Sequence, residues 1–350
     1  MTRFAIIFAL FFISICGHSQ RSANYGSIPH ILKSNLKTSK LLEINQDITN
    51  SDFGIINSLI ISQNNRTVFE NHYNGYCKDS THKINSINKS ITSLLFGILL
   101  EKHPEISVDD SIYHYFPQYI QIFESEPAKK TITIRHILEM TTGFEWNEWI
   151  PHYIYNDNSL NKYRNSDKSW IENTLRLKLS KTPGKVFNYN SGVSQLIAHI
   201  IEFKSGQNLH DFAMENFFLP IGIKKVNWTL DKHNGYPAWG GLRLNAAQML
   251  KIGQLIQNQG KLHNQQIVPA NWISDATSSH IASDKDYYGY QFWTRTEPFQ
   301  MIYAAGYGDN FIFVLPQQDI VIVIAASNYL NHKFPRTMFE LVNDIVKTIQ

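Results

Sequence analysis

Cysteine and charge are both scarce in this chain. Only two of its 350 residues are cysteines, so the chain is not a disulfide-rich scaffold. Charged residues make up 17% of it, and 32 lysines and arginines nearly balance 29 aspartates and glutamates. No block of basic residues stands out, and we therefore expect no nucleic acid partner.

Metal-binding motifs and long apolar runs are scarce as well. The sequence has no H-E-x-x-H motif and no cluster of histidine, cysteine and aspartate at metal-ligand spacing, so we expect neither a metal nor another cofactor. The apolar run Phe4 to Ile15 is too short to span a bilayer. We expect no stable membrane span in the mature chain.

The N-terminus has the three parts of a secretory signal. The basic start Met1-Thr2-Arg3 precedes the apolar run, and Gly17 and Ser19 after it supply the small residues of a cleavage site after Ser19. This pattern predicts a signal peptide over residues 1–19 and a periplasmic or secreted protein. A lipoprotein anchored through Cys16 is the less favoured alternative, because Ile15 stands where that signal requires a small residue.

The remaining chain reads as a globular α+β protein. It is 43% hydrophobic and 13% aromatic overall, which is enough to build a large core. Residues 20–52 are polar and poorly periodic and are predicted to be a loose lead-in to one domain over residues 53–350. Strand patterns at both ends flank a mostly helical region at about 100–281. They predict an antiparallel sheet built from both termini and flanked by helices. Strands are predicted over residues 56–62, 67–73, 287–295, 299–305, 310–315 and 320–326, and a last helix over residues 334–349.

Ser86 and Lys89 open an apolar helical pattern that continues to Lys102. Residues three apart on a helix share a face, so the Lys89 amine can meet the Ser86 hydroxyl and take its proton. The apolar positions predict that one stripe of this helix is buried. A capping serine beside a solvated lysine is the alternative, since S-x-x-K also occurs from Ser34, Ser80 and Ser159.

Tyr189 is the preferred partner for this pair. It lies between the Pro183-Gly184 turn and a predicted helix, a junction that can present a phenol to a cleft. Tyr163 and Tyr329 also begin Y-x-N strings but lack that setting. A half-buried tyrosine bonded to a loop is the alternative for Tyr189.

The third candidate segment of the site is a strand that ends in small residues. In Tyr303-Ala304-Ala305-Gly306-Tyr307-Gly308, small side chains would let a substrate approach the backbone closely, although a tight turn without a ligand explains the pattern equally well. Lys204-Ser205-Gly206 has the form of a K-[ST]-G box but reads as a helix end.

Together these segments resemble the serine β-lactamase and penicillin-binding protein superfamily, and within it 6-aminohexanoate-dimer hydrolases and related esterases. The resemblance covers nearly the whole mature chain in the family's order. It is carried by residues 86–102, Val108-Asp109-Asp110, Tyr115-Phe116-Pro117, residues 134–143, Pro183-Gly184, residues 187–192, Gly240-Gly241-Leu242 and residues 303–308.

The resemblance implies a β-lactamase/transpeptidase-like fold and a role for each motif residue. Ser86 would be the acylated nucleophile, Lys89 its base partner and Tyr189 a carrier of the proton during attack and leaving-group departure. The backbone N–H groups of Ser86 and Tyr307 would form the oxyanion hole. Ser191 stands where many relatives have asparagine; with Ala305 and Gly306, it is a predicted substrate-binding residue.

One departure from the family narrows the expected substrate. β-Lactamases and D-alanyl-D-alanine peptidases carry lysine or histidine in the third motif, where this chain has Ala304 followed by Ala305. The missing groups would help to hold a substrate carboxylate. The sequence therefore favours an exported serine hydrolase that cleaves a small ester or amide. The alternatives are a penicillin-binding carboxypeptidase or β-lactamase, and a catalytically silent binding protein on the same fold.

Overall fold

A computed structural model describes residues 29–32, 34–149, 152, 155–284, 286–329 and 333–349. The predicted signal peptide, including Cys16, lies outside these residues. The α-helices of the described part are α1 (Thr38–Thr49), α2 (Ile87–Lys102), α3 (Ile120–Ser125), α4 (Ile134–Leu138), α5 (Ser159–Asn165), α6 (Trp170–Leu175), α7 (Ser191–Ser205), α8 (Leu209–Ala213), α9 (Ala246–Gln257), α10 (Ala270–Ala276) and α11 (Met338–Val346). The strands are β1 (His30–Ile31), β2 (Ile56–Gln63), β3 (Arg66–His72), β4 (Thr81–Lys83), β5 (Asn227–Trp228), β6 (Leu242–Asn245), β7 (Lys261–Leu262), β8 (Gln265–Gln266), β9 (Ile281–Ala282), β10 (Tyr287–Tyr288), β11 (Trp293–Arg295), β12 (Met301–Gly306), β13 (Asn310–Leu315) and β14 (Ile320–Ala326).

The main sheet joins the two ends of the chain. Its order is β1-β3-β2-β14-β13-β12-β11-β10-β9, and all neighbouring strands are antiparallel. The strands predicted over residues 56–62 and 67–73 form a hairpin, β2–β3, and Asn64 and Asn65 of its turn have positive φ angles, which asparagine adopts more readily than most residues. A smaller sheet, β4-β6-β5, brings β4 and β6 together close to the start of α2. The predicted α+β architecture is confirmed.

Helices cover both faces of the main sheet. Along β14, Val321 and Val323 pack into the core that contains α2, α7 and α9. Ile320, Ile322 and Ile324 pack into the opposite core with α1 and α11. Because side chains alternate between faces along a strand, a strand that is apolar throughout fits this doubly covered sheet. Within the described residues, no helix combines the length and apolarity needed to cross a membrane.

The prediction that residues 20–52 form a loose lead-in is wrong for residues 38–49. Residues 38–49 form α1, and Leu41, Ile44 and Ile48 are buried in the core shared with α11. Their spacing of three and four residues is helical, but the polar residues between them obscured the pattern in the sequence. This segment therefore belongs to the domain.

The predicted strand over residues 287–295 is interrupted. β10 and β11 pair with each other, and Gln291 between them has a φ of +64°. The buried Gln291 amide donates to the carbonyls of Ile137 and Leu138 and accepts a hydrogen bond from Ser194. A polar residue in the middle of an apolar pattern therefore links α4 and α7 instead of continuing the strand.

α2 is the central helix, and the prediction of one buried stripe is too narrow. Residues 87–99 are buried on all sides, because the helix lies between the sheet, α7 and α10. Gly97 permits this packing, since a Cβ there would lie 2.1 Å from Trp272 Cδ1. The indole N–H of Trp272 donates to the Ser93 carbonyl at 2.9 Å. This packing holds the first turn of α2, where Ser86 and Lys89 lie.

Candidate active site

Ser86 and Lys89 meet at the N-terminus of α2, as their spacing predicts. Ser86 is the N-cap residue, and the Lys89 amine donates a hydrogen bond to its Oγ at 2.9 Å. Ser86 is partly exposed, whereas Lys89 is only 1% exposed. The hydroxyl is therefore accessible to a ligand while its hydrogen-bond partner is shielded from water.

Burial changes the proton affinity of Lys89. The pKa of its amine is lowered to about 8, mainly because the protonated form is desolvated. The negative charge of Glu148 opposes this shift, and the positive charge of Arg164 adds to it. A substantial fraction of Lys89 is consequently neutral near pH 8 and able to accept a proton.

Tyr189 completes the cluster from the start of α7. It is 5% exposed, and the Lys89 nitrogen lies 4.7 Å from the centroid of its ring. Burial and the charge of Glu148 raise the pKa of the phenol, and a side-chain hydrogen bond with Ser86 opposes that rise. The phenol therefore retains its proton beside Ser86. The competing Tyr163 donates instead to the Asn173 carbonyl at 2.9 Å.

The end of β12 lies against the residues that precede α2. The Asn85 amide donates to the Tyr307 carbonyl at 2.6 Å. A Cβ at Gly306 would lie 2.1 Å from the Ile84 carbonyl oxygen, so a side chain there would separate the two segments. These contacts fix the backbone of residues 306–307 beside Ser86. Lys204-Ser205-Gly206 ends α7, with Gly206 at a φ of +71°, as its interpretation as a helix end predicts.

Two cavities meet at Ser86. We call the one of about 430 Å³ the small cavity and the one of about 760 Å³ the aromatic cavity. Ser86 and Tyr307 line both of them. Among the predicted substrate-binding residues, Ser191 lines the small cavity, whereas Ala305 and Gly306 line the aromatic cavity. A ligand bound at Ser86 can therefore extend in two directions.

This arrangement suits nucleophilic chemistry at Ser86. Across the described ranges, no group of three or more histidine, cysteine, aspartate and glutamate side chains is placed to hold a metal ion. A hydroxyl, an amine of lowered pKa and a protonated phenol lie together in one shielded cluster. Such a cluster can activate a serine and return the proton to a leaving group.

A sequence model of the β-lactamase family matches residues 57–347, which include every residue of this cluster. The chain belongs to the β-lactamase family. A search of curated protein sequences found no match.

Solved structures share the fold of this β-lactamase family member. A candidate 6-aminohexanoate-dimer hydrolase from Bacillus anthracis is 21% identical with a TM-score of 0.73, over 87% of this chain and 80% of the other. A candidate β-lactamase from Bacteroides dorei is 17% identical with a TM-score of 0.72, over 90% and 99% of the two chains. A family VIII carboxylesterase is 12% identical with a TM-score of 0.69, over 92% and 99%. At these identities the similarity shows the fold alone.

In this β-lactamase family member, the loop from residue 144 to residue 149, which we call the aromatic loop, has one tryptophan in the core and another at the cleft. Trp146 is buried and packs edge-to-face on Tyr163 with their ring centroids 4.7 Å apart. Trp149 is 57% exposed, lines the aromatic cavity and stacks on Tyr189 at 5.2 Å. One loop therefore contributes an aromatic side chain to the core and another to the wall of the cleft.

Glu148 is a site residue that the sequence reasoning missed. It is 1% exposed and lines the small cavity. Its Oε1 accepts from the Ser191 hydroxyl at 2.5 Å, and its Oε2 accepts from the Ser191 N–H at 2.7 Å and the Trp146 indole at 3.0 Å. The carboxylate thus ties the aromatic loop to the first residue of α7. In the sequence, the available signal was the position of Glu148 as the single acidic residue between Trp146 and Trp149.

We expect Glu148→Gln to move the pH dependence of activity to lower pH. The amide can keep the same partners, because the Ser191 hydroxyl can accept from the new NH₂ group instead of donating. The substitution removes the negative charge that raises the pKa of Lys89, so that pKa should fall further. A pH profile of kcat/KM measures the shift. An unchanged acidic limb in a folded Glu148→Gln protein would show that this charge does not act on Lys89.

Proposed function

We propose that the chain is an exported serine hydrolase that cleaves an ester or amide through an acyl-enzyme on Ser86. The observation that carries the proposal is the 2.9 Å hydrogen bond between the buried Lys89 amine and the partly exposed Ser86 hydroxyl. The β-lactamase family assignment and the esterase and hydrolase folds among the structural neighbours support it.

Proton transfer is the first step of the proposed reaction. Neutral Lys89 takes the proton of Ser86 Oγ, and the oxygen attacks the carbonyl carbon of the substrate. Tyr189 gives a proton to the leaving alcohol or amine and is reprotonated from the lysine. Water then attacks the acyl-enzyme by the reverse route and releases the acid and free Ser86.

The carbonyl oxygen becomes negatively charged during each attack. In the proposal, the backbone N–H groups of Ser86 and Tyr307 bind it. The contacts of Asn85 and Gly306 support this role, because they hold the Tyr307 backbone next to the start of α2. Preorganised donors stabilise developing charge without a cost of reorientation.

The aromatic cavity favours an apolar substrate group. Trp149, Phe187 and Trp293 line it, and the acids in its lining, Asp284, Asp286 and Asp309, disfavour an anionic group there. The proposed preference for esters or simple amides over penicillins follows from the alanines at residues 304 and 305. The export part of the proposal is supported by the signal-like sequence at residues 1–19.

Hydrolysis of p-nitrophenyl acetate and butyrate, followed with intact-mass analysis, tests this function. The proposal predicts turnover and a transient acyl adduct. Turnover of a labelled penicillin instead would favour the β-lactamase or carboxypeptidase alternative. If neither class of substrate gives turnover or an adduct, the proposal fails and the silent binding protein is favoured.

We expect the activity to rise with pH up to about pH 8. Lys89 acts as a base only when neutral, and its pKa is lowered to about 8. Below that pH, each unit should reduce the neutral fraction and kcat/KM about tenfold. A pH profile of kcat/KM at constant ionic strength measures this limb. A limb centred on the usual histidine pKa of about 6.5 would contradict the role of Lys89.

A further inference from the structure

We propose that Lys83 and Arg243 bind an anionic group of the substrate in the small cavity. This inference rests on the proposed hydrolase function, because it names the substrate class of the same site. The chemical class is an ester or amide that also carries a carboxylate. The pair lies outside the motif in which other members of the superfamily hold a substrate carboxylate.

The smaller sheet places the two cations side by side. Lys83 on β4 and Arg243 on β6 are direct partners in the antiparallel register. Side chains of direct partners point to the same face, with Cβ atoms about 5 Å apart. Both residues line the small cavity together with Ser86, and Lys83 precedes Ser86 by only three residues. A ligand at the nucleophile can therefore reach both charges.

Neither charge is neutralised by a carboxylate among the described residues. Arg243 donates to the Thr81 carbonyl at 2.7 Å and the Thr81 hydroxyl at 3.2 Å, and no other hydrogen bond of its side chain is found in the described part of the chain. Lys83 forms no ion pair or side-chain hydrogen bond within the same part of the chain. Like charges directly opposite each other on a sheet destabilise it, and an anion between them would remove that cost.

The other charged groups of the cavity have partners of their own, and the Arg164 guanidinium lies over the Trp239 ring with its carbon 4.8 Å from the centroid. Asp231 accepts the N–H groups of His233 and Gly235 within its own loop, at 2.8 and 2.9 Å. The Glu148 carboxylate is held by Ser191 and Trp146, and Lys232 lies 3.3 Å from Asp167. The positive charge of Lys83 and Arg243 therefore remains available to a ligand.

His82, which precedes Lys83 on β4, does not change the charge of this pair. His82 is buried, with its Nε2 atom 3.3 Å from Ser58 Oγ of the main sheet, and burial with the nearby Arg243 lowers its pKa to about 4. It is neutral at neutral pH. The wall of the small cavity beside Ser86 consequently attracts anions, whereas the alanines at residues 304 and 305 leave the end of β12 uncharged.

Substrate pairs that share the scissile ester, one member with a free carboxylate and the other neutral, test the proposal. One pair is 4-acetoxybenzoate and its methyl ester, with the carboxylate on the leaving group. The other is p-nitrophenyl hydrogen glutarate and p-nitrophenyl butyrate, with the carboxylate on the acyl group. We expect the anionic member of at least one pair to have a kcat/KM about tenfold above its neutral partner, as expected for a charge-assisted hydrogen bond.

The variants Lys83→Gln and Arg243→Gln identify the source of this preference. Each should reduce the ratio of the two kcat/KM values severalfold, and the double variant should bring it close to one. Lys261→Gln is the matched control, because Lys261 is an exposed lysine of β7 that lines neither cavity. It should keep the ratio of the unaltered protein. Equal rates within both pairs, or a preference that persists in the double variant, would overturn the proposal.

Equilibrium binding separates this proposal from the proposed function. Calorimetry with Ser86→Ala and 4-acetoxybenzoate requires no turnover. Binding that weakens about tenfold or more in Ser86→Ala with Lys83→Gln supports the anion site even if the unaltered protein hydrolyses nothing. Hydrolysis of the neutral esters without preferential binding of the anion would support the hydrolase function and overturn the anion site.

Discussion

Replacing Ser86 with alanine should reduce kcat/KM for p-nitrophenyl butyrate by roughly 10³-fold or more, since the proposed acyl bond forms on the hydroxyl that the substitution removes. The hydroxyl is the only part of the reacting cluster that the substitution removes. Lys89 stays buried beneath the site, and α2 keeps the packing of its other residues. The measurement is initial-rate kinetics, with the acyl adduct followed by intact mass.

Ser93→Ala is the matched control for this substitution. Ser93 also lies in α2 and is fully buried, and its hydroxyl has no hydrogen-bond partner among the described residues. Loss of that hydroxyl should change neither activity nor stability noticeably. Similar kinetics for Ser86→Ala and the unaltered protein would remove Ser86 from the mechanism.

Replacing Lys89 with methionine should reduce kcat/KM by about 10² to 10⁴-fold, the usual contribution of a general base. Methionine is close to lysine in volume and fills the same buried space without a charge. The pH limb near 8 should disappear with the amine. Thermal melting should show no loss of stability, because burying the protonated amine is costly in the unaltered protein.

Lys129→Met is the control for Lys89→Met, because it removes a buried lysine that lies away from the site. Lys129 is also fully buried, but it donates to the Leu175 carbonyl at 2.7 Å and to Glu126 at 2.9 Å, away from the site. Its loss leaves a buried carbonyl unpaired and should lower the free energy of unfolding by about 1–3 kcal/mol. The folded protein should keep its kcat/KM. Full activity in Lys89→Met would contradict the role of the amine.

Local patterns in the sequence predicted the parts of the site that depend on near neighbours. The contact between Ser86 and Lys89 follows from helical spacing, and the hairpin at residues 56–73 follows from its asparagine turn. Tyr189 was found because a turn precedes it and a helix follows it. Each signal lies within a few residues of the group that it places, so the geometry of one element was sufficient.

Contacts between distant segments were not predictable in the same way. Glu148 meets Ser191 across 43 residues, and Lys83 becomes the partner of Arg243 only through the register of the smaller sheet. Neither relation leaves a periodic pattern. The division of the aromatic loop likewise depends on where Trp146 and Trp149 fall relative to α7. Tertiary packing decides these features, and with them the shape of both cavities.

The most direct test of the acyl-enzyme mechanism is covalent labelling with a fluorophosphonate, followed by intact-mass analysis and peptide mapping. The account predicts one adduct per chain on Ser86, absent in Ser86→Ala, retained in Ser93→Ala and slowed in Lys89→Met. An unlabelled protein, or an adduct on any other residue, would contradict the central claim that Ser86 is the activated nucleophile.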